Sequence, residues 1–494
     1  MGSRADGGEK IMRKFLKKPP LLRVACTLLL LFLFDGIVVS EESALNIPQP
    51  KVDERFELLG IVFHLAGVPF HQVPFKEYAD AIDQHFASFK RHPVVLAASM
   101  AGRRTSAYTI AVHISIENGR VILPDTNLEK LLNDQFPERT ARLFVRQLDD
   151  FYLKSRFREF FEANREMYQK IESLLKKSSD KIDYSWFKKF YGYAPLEHLH
   201  IVPTYIGDGG GRAVLGRVKE GHEEFFALIK PEDPAIPYPE DAFINVIVHE
   251  FNHYFCNRIV DQYIDELQPA VERTFPFMGE NFSSYYSQRS MVYEYLVMAY
   301  TDRYLLDNDR KDIAERQMRR QRTTGLFWIE ELVELLGRYT KERDKYPTLD
   351  DFMPEIVKMQ NAIVTDEFIA ELQKQEENCP KVIATNPPNG AKDVDPGITE
   401  ISLSFDRPMR DDLDWNTQNA GILFPERSEH LPPVWSDDKH TCTISHVVLK
   451  PGQTYRFWLN AGEVEDFRSV DDIPLQPFPY TFTTKAEMEE TDAE

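Results

Sequence analysis

The segment VIVHEFNHYFCN, residues 246–257, sets His249 and His253 four positions apart with Glu250 directly after the first. On a helix this spacing puts both imidazoles on one face, where they can share a metal ion, and turns Glu250 about 100° round the axis. From there its carboxylate does not join the imidazoles but reaches a water at the ion's open position, where a general base is needed. Zinc suits two neutral imidazoles and one carboxylate and leaves a fourth position free. The chemistry predicted is zinc-dependent hydrolysis, in which Glu250 takes a proton from the attacking water and delivers it to the leaving amine.

An isolated HExxH pattern arises by chance in roughly a few per cent of chains of this size, so its surroundings matter. Phe243, Ile244, Val246, Ile247, Val248, Phe251 and Phe255 make the helix apolar. Two histidines and a glutamate buried there without a partner would be costly. A third ligand must come from downstream, and two glutamates compete. Glu272 follows His253 after eighteen intervening residues, a spacing found in many gluzincin peptidases, but its charged neighbours in DELQPAVERTF read as a solvated face. Glu294 is the only acid between residues 291 and 300 of SMVYEYLVMAYTDRY. A lone carboxylate in an apolar helix needs a charge partner, and a metal supplies one. Glu294 is therefore the favoured ligand and Glu272 the alternative.

Oxyanion stabilisation needs a donor beside the open position; Tyr285, Tyr286, Tyr300 and Arg303 are candidates that spacing does not separate from packing residues. Asn257, one turn beyond His253, is placed either to hydrogen-bond that ligand or to complete a helix end. Cys256 sits three residues after His253 and could close the fourth position, in which case the metal would only brace a non-catalytic surface binding or adhesion protein. A further alternative keeps the zinc hydrolase and changes the bond, to an amide or ester of a non-peptide substrate. GDGGGR at 207–212 lacks the lysine and the strand-to-helix setting of a phosphate loop and reads as a flexible turn. EEFFALIK at 223–230 reads as a sheet strand, able to pair with an extended peptide if it lies at an edge. His198, His200 and His222 read as ordinary polar residues near strands.

The elements that position these residues belong to a chain of 494 residues, 43% hydrophobic and 12% aromatic, too long for one ordinary core and apolar enough for globular domains. With 59 basic against 79 acidic residues, a net charge of −20 and no concentrated basic face, nucleic acid is not an expected partner. Lys10, Arg13, Lys14, Lys17, Lys18 and Arg23 precede an apolar run of eleven residues at 24–34. That is the pattern of a signal peptide, and the run is too short for a spanning helix of about twenty residues. Val38 and Ser40 suit cleavage after Ser40, which predicts a secreted, periplasmic or cell-surface protein with no stable membrane span. Beyond the signal only Cys256, Cys379 and Cys442 remain, so not all thiols can pair.

After the signal at 1–40, a polar, proline-bearing linker is expected at 41–54 and a first domain at 55–375. Helices are predicted over 78–89, 139–174, 241–264 and 290–306, a strand over 108–116, and a small sheet from 199–205 and 223–230. Over 380–485, Ile401, Leu403 and Phe405 alternate, as do Tyr455, Phe457 and Leu459, and Tyr480 with Phe482; with turn residues between them they predict an Ig-like β-sandwich. Residues 486–494 form an acidic tail.

Several blocks resemble secreted, mostly bacterial proteins carrying domain of unknown function 4932, an HExxH gluzincin-like group. They are FASFKRHPVV (86–95), LFVRQLDDFYLKSRFREFFEANREMY (143–168), WFKKFYGY, HLHIVP, the HEFNH block, and YEYLVMAYTDRY (293–304). The last block implies Glu294 as third ligand, although Tyr295 and Met298 stand where the family often has His and Arg. PPNGAKDVDPGITEISLSFDRPM, LKPGQTYRFWL and YTFTT resemble a bacterial Ig-like module of the S-layer type. The resemblance implies an α+β zincin-like metallopeptidase domain followed by an all-β Ig-like sandwich domain. Zn2+ would be held by His249, His253 and Glu294, Glu250 would be catalytic, the substrate would be an extracytoplasmic peptide or protein, and the Ig-like domain would allow cell-surface association.

Overall fold

The computed structural model describes residues 47–486 apart from 74, 103–104, 125–137, 208–209, 220–221, 232–242, 279–285, 413–422 and 461–465. The expected signal and its cleavage site, residues 41–46 of the linker, Tyr285 and all but the first residue of the acidic tail lie outside the described residues. Among the described residues no helix is long and apolar enough to cross a membrane.

Helix α1 (Glu54–Leu65) begins where the Asp53 side chain accepts from the Arg55 amide and is buried along nearly its whole length, from Phe56 to Phe63. Helices α2 (Lys76–Phe86), α3 (Pro93–Ala101) and α4 (Ala107–Ala111) follow, then a hairpin of β1 (Ser115–Glu117) and β2 (Arg120–Ile122). The strand expected over 108–116 is thus corrected to a short helix and a late strand. Ser106 caps that helix by accepting from the Tyr108 amide, and Tyr108, Ile110 and Ala111 are all buried, so the alternation reflected burial and not pleating. The expected 139–174 helix is broken into α5 (Glu138–Lys154), α6 (Phe157–Ala163) and α7 (Arg165–Ser179), with Arg156 in the left-handed region at φ 56° at the first break. Helix α8 (Ser185–Tyr191) stops at Gly192, φ 86°, a C-terminal position that favours glycine.

Strands β3 (Leu199–Pro203), β4 (Gly210–Lys219) and β5 (His222–Lys230) form a sheet in the order β3-β5-β4, with β5 parallel to β3 and antiparallel to β4. Two expectations change here. Gly210, Gly211 and Arg212 pair with Lys230, Ile229 and Leu228, so they open a strand and not a flexible turn. EEFFALIK lies in the central strand β5, where both edges are occupied; the outer strands β3 and β4 each pair with β5 and with no other strand among the described residues.

Helix α9 (Ile244–Thr274) carries the HEFNH segment and extends ten residues past the expected end at 264. Burial of Leu267, Ala270 and Val271 and donation from the Gln360 amide to the Leu267 carbonyl hold those turns through Pro269, which removes one backbone donor. Helices α10 (Gln288–Asp307), α11 (Lys311–Thr323), α12 (Ile329–Lys341), α13 (Leu349–Ile363) and α14 (Asp366–Asn378) complete this part. One continuous apolar core runs from Val52 to Val364.

A separate core, from Ile401 to Phe482, lies within the C-terminal β region. Strands β6 (Val382–Asn386), β7 (Ala391–Val394), β8 (Glu400–Phe405), β9 (Glu426–Arg427), β10 (Val434–Trp435), β11 (Thr441–Ser445), β12 (Val447–Val448), β13 (Thr454–Leu459) and β14 (Phe478–Thr484) form sheets ordered β10-β11-β8-β6, β13-β14-β7 and β12-β9. Inward residues alternate as expected: Ile401, Leu403 and Phe405 on β8, and Tyr455, Phe457 and Leu459 on β13. The helical N-terminal region is therefore followed by an all-β region. Among the described residues Cys256, Cys379 and Cys442 form no disulfide.

Candidate metal centre

Helices α9 and α10 run antiparallel and are clamped at two places. The Tyr293 hydroxyl donates to Asp261 Oδ1 at 2.6 Å, and the Asn252 amide donates to Thr301 Oγ1 at 3.1 Å. Helix α10 has a defined start, because Ser287 and Ser290 satisfy each other's backbone amides in a capping box. That start sets the rotation of α10 and turns Glu294 toward α9.

His249 Nε2 lies 3.4 Å from Glu294 Oε2, and His253 Nε2 lies 3.5 Å from Glu294 Oε1. The two rings stand 5.0 Å apart at 82°. One donor atom from each of the three residues lies within 4.8 Å of the other two, and among the described residues no other group of His, Cys, Asp or Glu is so arranged. The donors fit a zinc ion on two observations. Glu294 Oε2 is buried, makes no hydrogen bond of good geometry among the described residues and has His249 Nε2 3.4 Å away, an arrangement that a cation between them would compensate. His253 Nδ1 donates to Asn257 Oδ1 at 3.2 Å, which fixes the tautomer and leaves the Nε2 lone pair facing Glu294. Two imidazoles and a carboxylate make a three-ligand set with one position open. Cys256 is not in the group; it is fully buried, and burial holds its thiol well above the ordinary range.

Glu250 is buried beside this group. Burial lifts its carboxyl to about 7, with His249 and Arg212 drawing it down and Glu294 pushing it up. Burial works against a charged His249, but Glu294 and then Glu250 outweigh it and raise that imidazole. Burial lowers His253. It also works against a charged Glu294, yet the two histidines bring that carboxyl below its ordinary value.

The other candidates separate cleanly. Glu272 is exposed and accepts a hydrogen bond from Gln268. Tyr300 is fully buried and points its hydroxyl at Met353 Sδ, 3.8 Å away. Arg303 pairs with Asp307 on its own helix. Tyr286 alone among the described candidates is acted on by both Glu294 and Glu250, while burial is the main cause holding its hydroxyl well above the ordinary range. Two residues went unrecognised in the sequence. A Cβ on Gly211 of β4 would collide with the Glu250 carboxylate, a position signalled only by a run of glycines ahead of a strand. Asp302, 0% exposed on α10, interacts with His249; its one signal was a second acid in an otherwise apolar helix.

Comparison with known proteins bears on the family. The model of a bacterial Ig-like domain matches residues 376–484. No match was found among curated proteins. A solved structure, described as surface layer protein SbsC, domains 1-6, shares 14% identity over 88% of this chain with a TM-score of 0.16. The chain covers 46% of that protein's length. The model of the domain of unknown function DUF4932 matches residues 52–359, more than half of the sequence, and the chain belongs to that family.

Proposed function

We propose that the chain is a zinc-dependent hydrolase of zincin-like fold that cuts peptide or protein substrates outside the cytoplasm. The observation that carries this reading is the convergence of His249, His253 and Glu294 within 4.8 Å, with the Glu250 carboxyl buried beside them and lifted to about 7. His249, His253 and Glu294 would hold the ion. A bound zinc supplies a Lewis acid for the scissile carbonyl and lowers the pKa of water at the open position. Glu250 is matched as a base to neutral pH: it takes a proton from the attacking water and delivers it to the leaving amine. The Tyr286 hydroxyl, kept protonated by burial and by two neighbouring carboxylates, is a donor for charge developing on the carbonyl oxygen.

Strand β4 favours a peptide as substrate. Its outer edge takes no further strand among the described residues, and its backbone at Gly211 lies on Glu250, so an extended chain adding to that edge would pass the catalytic carboxylate. The basic and apolar segment at 10–34 supports export. The Ig-like domain is consistent with surface association and need carry no chemistry.

The test is metal content and cleavage of an unbiased peptide library by the purified chain and by Glu250→Gln. Both proteins are expected to hold a single zinc, with cleavage about 10²- to 10⁴-fold slower in the variant. Zinc in both and cleavage by neither would turn the reading to a binding protein with a bracing metal; no metal in either would end the site assignment.

A further inference from the structure

Asp302 is 0% exposed, and neither of its carboxylate oxygens has a hydrogen-bond partner among the described residues. A buried carboxylate is kept in that state only at a cost, and an unexplained one asks for a partner. It lies eight residues after Glu294, about two turns along α10. It directly follows Thr301, which is hydrogen-bonded to Asn252, and that bond sets this part of α10 against the stretch of α9 that carries His249. Burial lifts the Asp302 carboxyl well above its ordinary range, and Gln321 and then His249 draw it back. Gln321 faces Asp302 from α11, and its Oε1 is unpartnered among the described residues.

The two histidines differ in support. His253 has Asn257 on Nδ1, and among the described residues His249 makes no such bond. An imidazole that ligates through Nε2 must carry its proton on Nδ1, and an acceptor there fixes the ring and makes the ligand nitrogen more basic. We propose that Asp302 is the positioning residue for His249, accepting a hydrogen bond from Nδ1–H when a metal is bound at Nε2. This rests on the zinc reading above. It also accounts for an unpaired buried carboxylate, since Asp302 then balances charge on the metal and its ligands.

The experiment titrates the full chain, Asp302→Asn and Asp302→Ser with zinc and with cobalt(II), and compares melting temperatures of the metal-free proteins. Both variants are expected to bind zinc about 10- to 100-fold more weakly and to shift the visible cobalt spectrum. Metal-free Asp302→Asn is expected to melt close to the wild type, because the amide replaces the buried carboxyl in nearly the same volume. A structural role for Asp302 gives the reverse pattern, a lower melting temperature or failure to fold in the variants with metal affinity unchanged in whichever folds, and overturns the proposal. Wild-type protein that binds neither metal marks failure of the zinc reading itself. Equal affinity and an unchanged cobalt spectrum in wild type and variants leave that reading standing and remove only the role of Asp302.

Discussion

The backbone of Gly211 lies directly against the carboxylate of Glu250: a Cβ built on that glycine would overlap Oε1 and stand 2.7 Å from Val246 Cγ1. Gly211 is not among the glycines with positive φ, so it is space and not backbone conformation that calls for glycine here. Gly211→Ala is expected to displace either β4 or the Glu250 side chain. A shift of this kind lowers kcat by about 100-fold while zinc content stays at the wild-type level, because no ligand is touched. Steady-state kinetics alongside metal analysis checks this, and wild-type kcat in the variant would mean that β4 does not set the position of Glu250.

Burial, and after it the charges of Glu294 and Glu250, hold the Tyr286 hydroxyl above its ordinary range. If the Tyr286 hydroxyl donates to the developing oxyanion, Tyr286→Phe removes a contact made mainly in the transition state. The expected result is a kcat about 10²- to 10³-fold lower, with KM and zinc stoichiometry near wild type. A variant that changes KM alone would place Tyr286 in substrate binding instead.

How far the sequence reached depended on whether a signal was local. His249, His253 and Glu250 stood out because helical spacing is a local code, and Glu294 because a lone acid in an apolar helix asks for compensation; the structure sets His249, His253 and Glu294 close together. The alternation of Ile401, Leu403 and Phe405 was equally plain and sits on β8 as expected. The same alternation misled at 108–116, where the capped turn at Ser106 and burial on most sides make a helix. What could not be read was pairing between distant segments. That β5 is central, with β3 and β4 as the outer strands, follows from a parallel contact to β3, which no local pattern encodes. Asp302 likewise went unread, because its relation to His249 depends on how α10 lies along α9.

Far from this centre in sequence, Glu57 on α1 gives the chain a built-in dependence of stability on pH. Its carboxylate is buried and accepts from the Tyr78 hydroxyl at 2.6 Å and from the Thr204 hydroxyl at 2.9 Å. Burial nevertheless dominates and lifts the carboxyl from its ordinary 4.5 to about 7, the two hydroxyls only partly opposing it. The folded chain therefore keeps this proton at pH values where the unfolded chain has lost it. The resulting stabilisation is fully present below about pH 4.5 and is lost as pH rises to about 7. A shift of this size corresponds to about 3 kcal/mol. Glu57→Gln keeps the shape of the side chain and removes the titration. The difference in unfolding free energy between wild type and variant, measured by denaturant titration at pH 5 and pH 7.5, is expected to move by about 2 kcal/mol against the wild type at the higher pH. A difference that stays flat between the two would show that Glu57 does not change charge in that window.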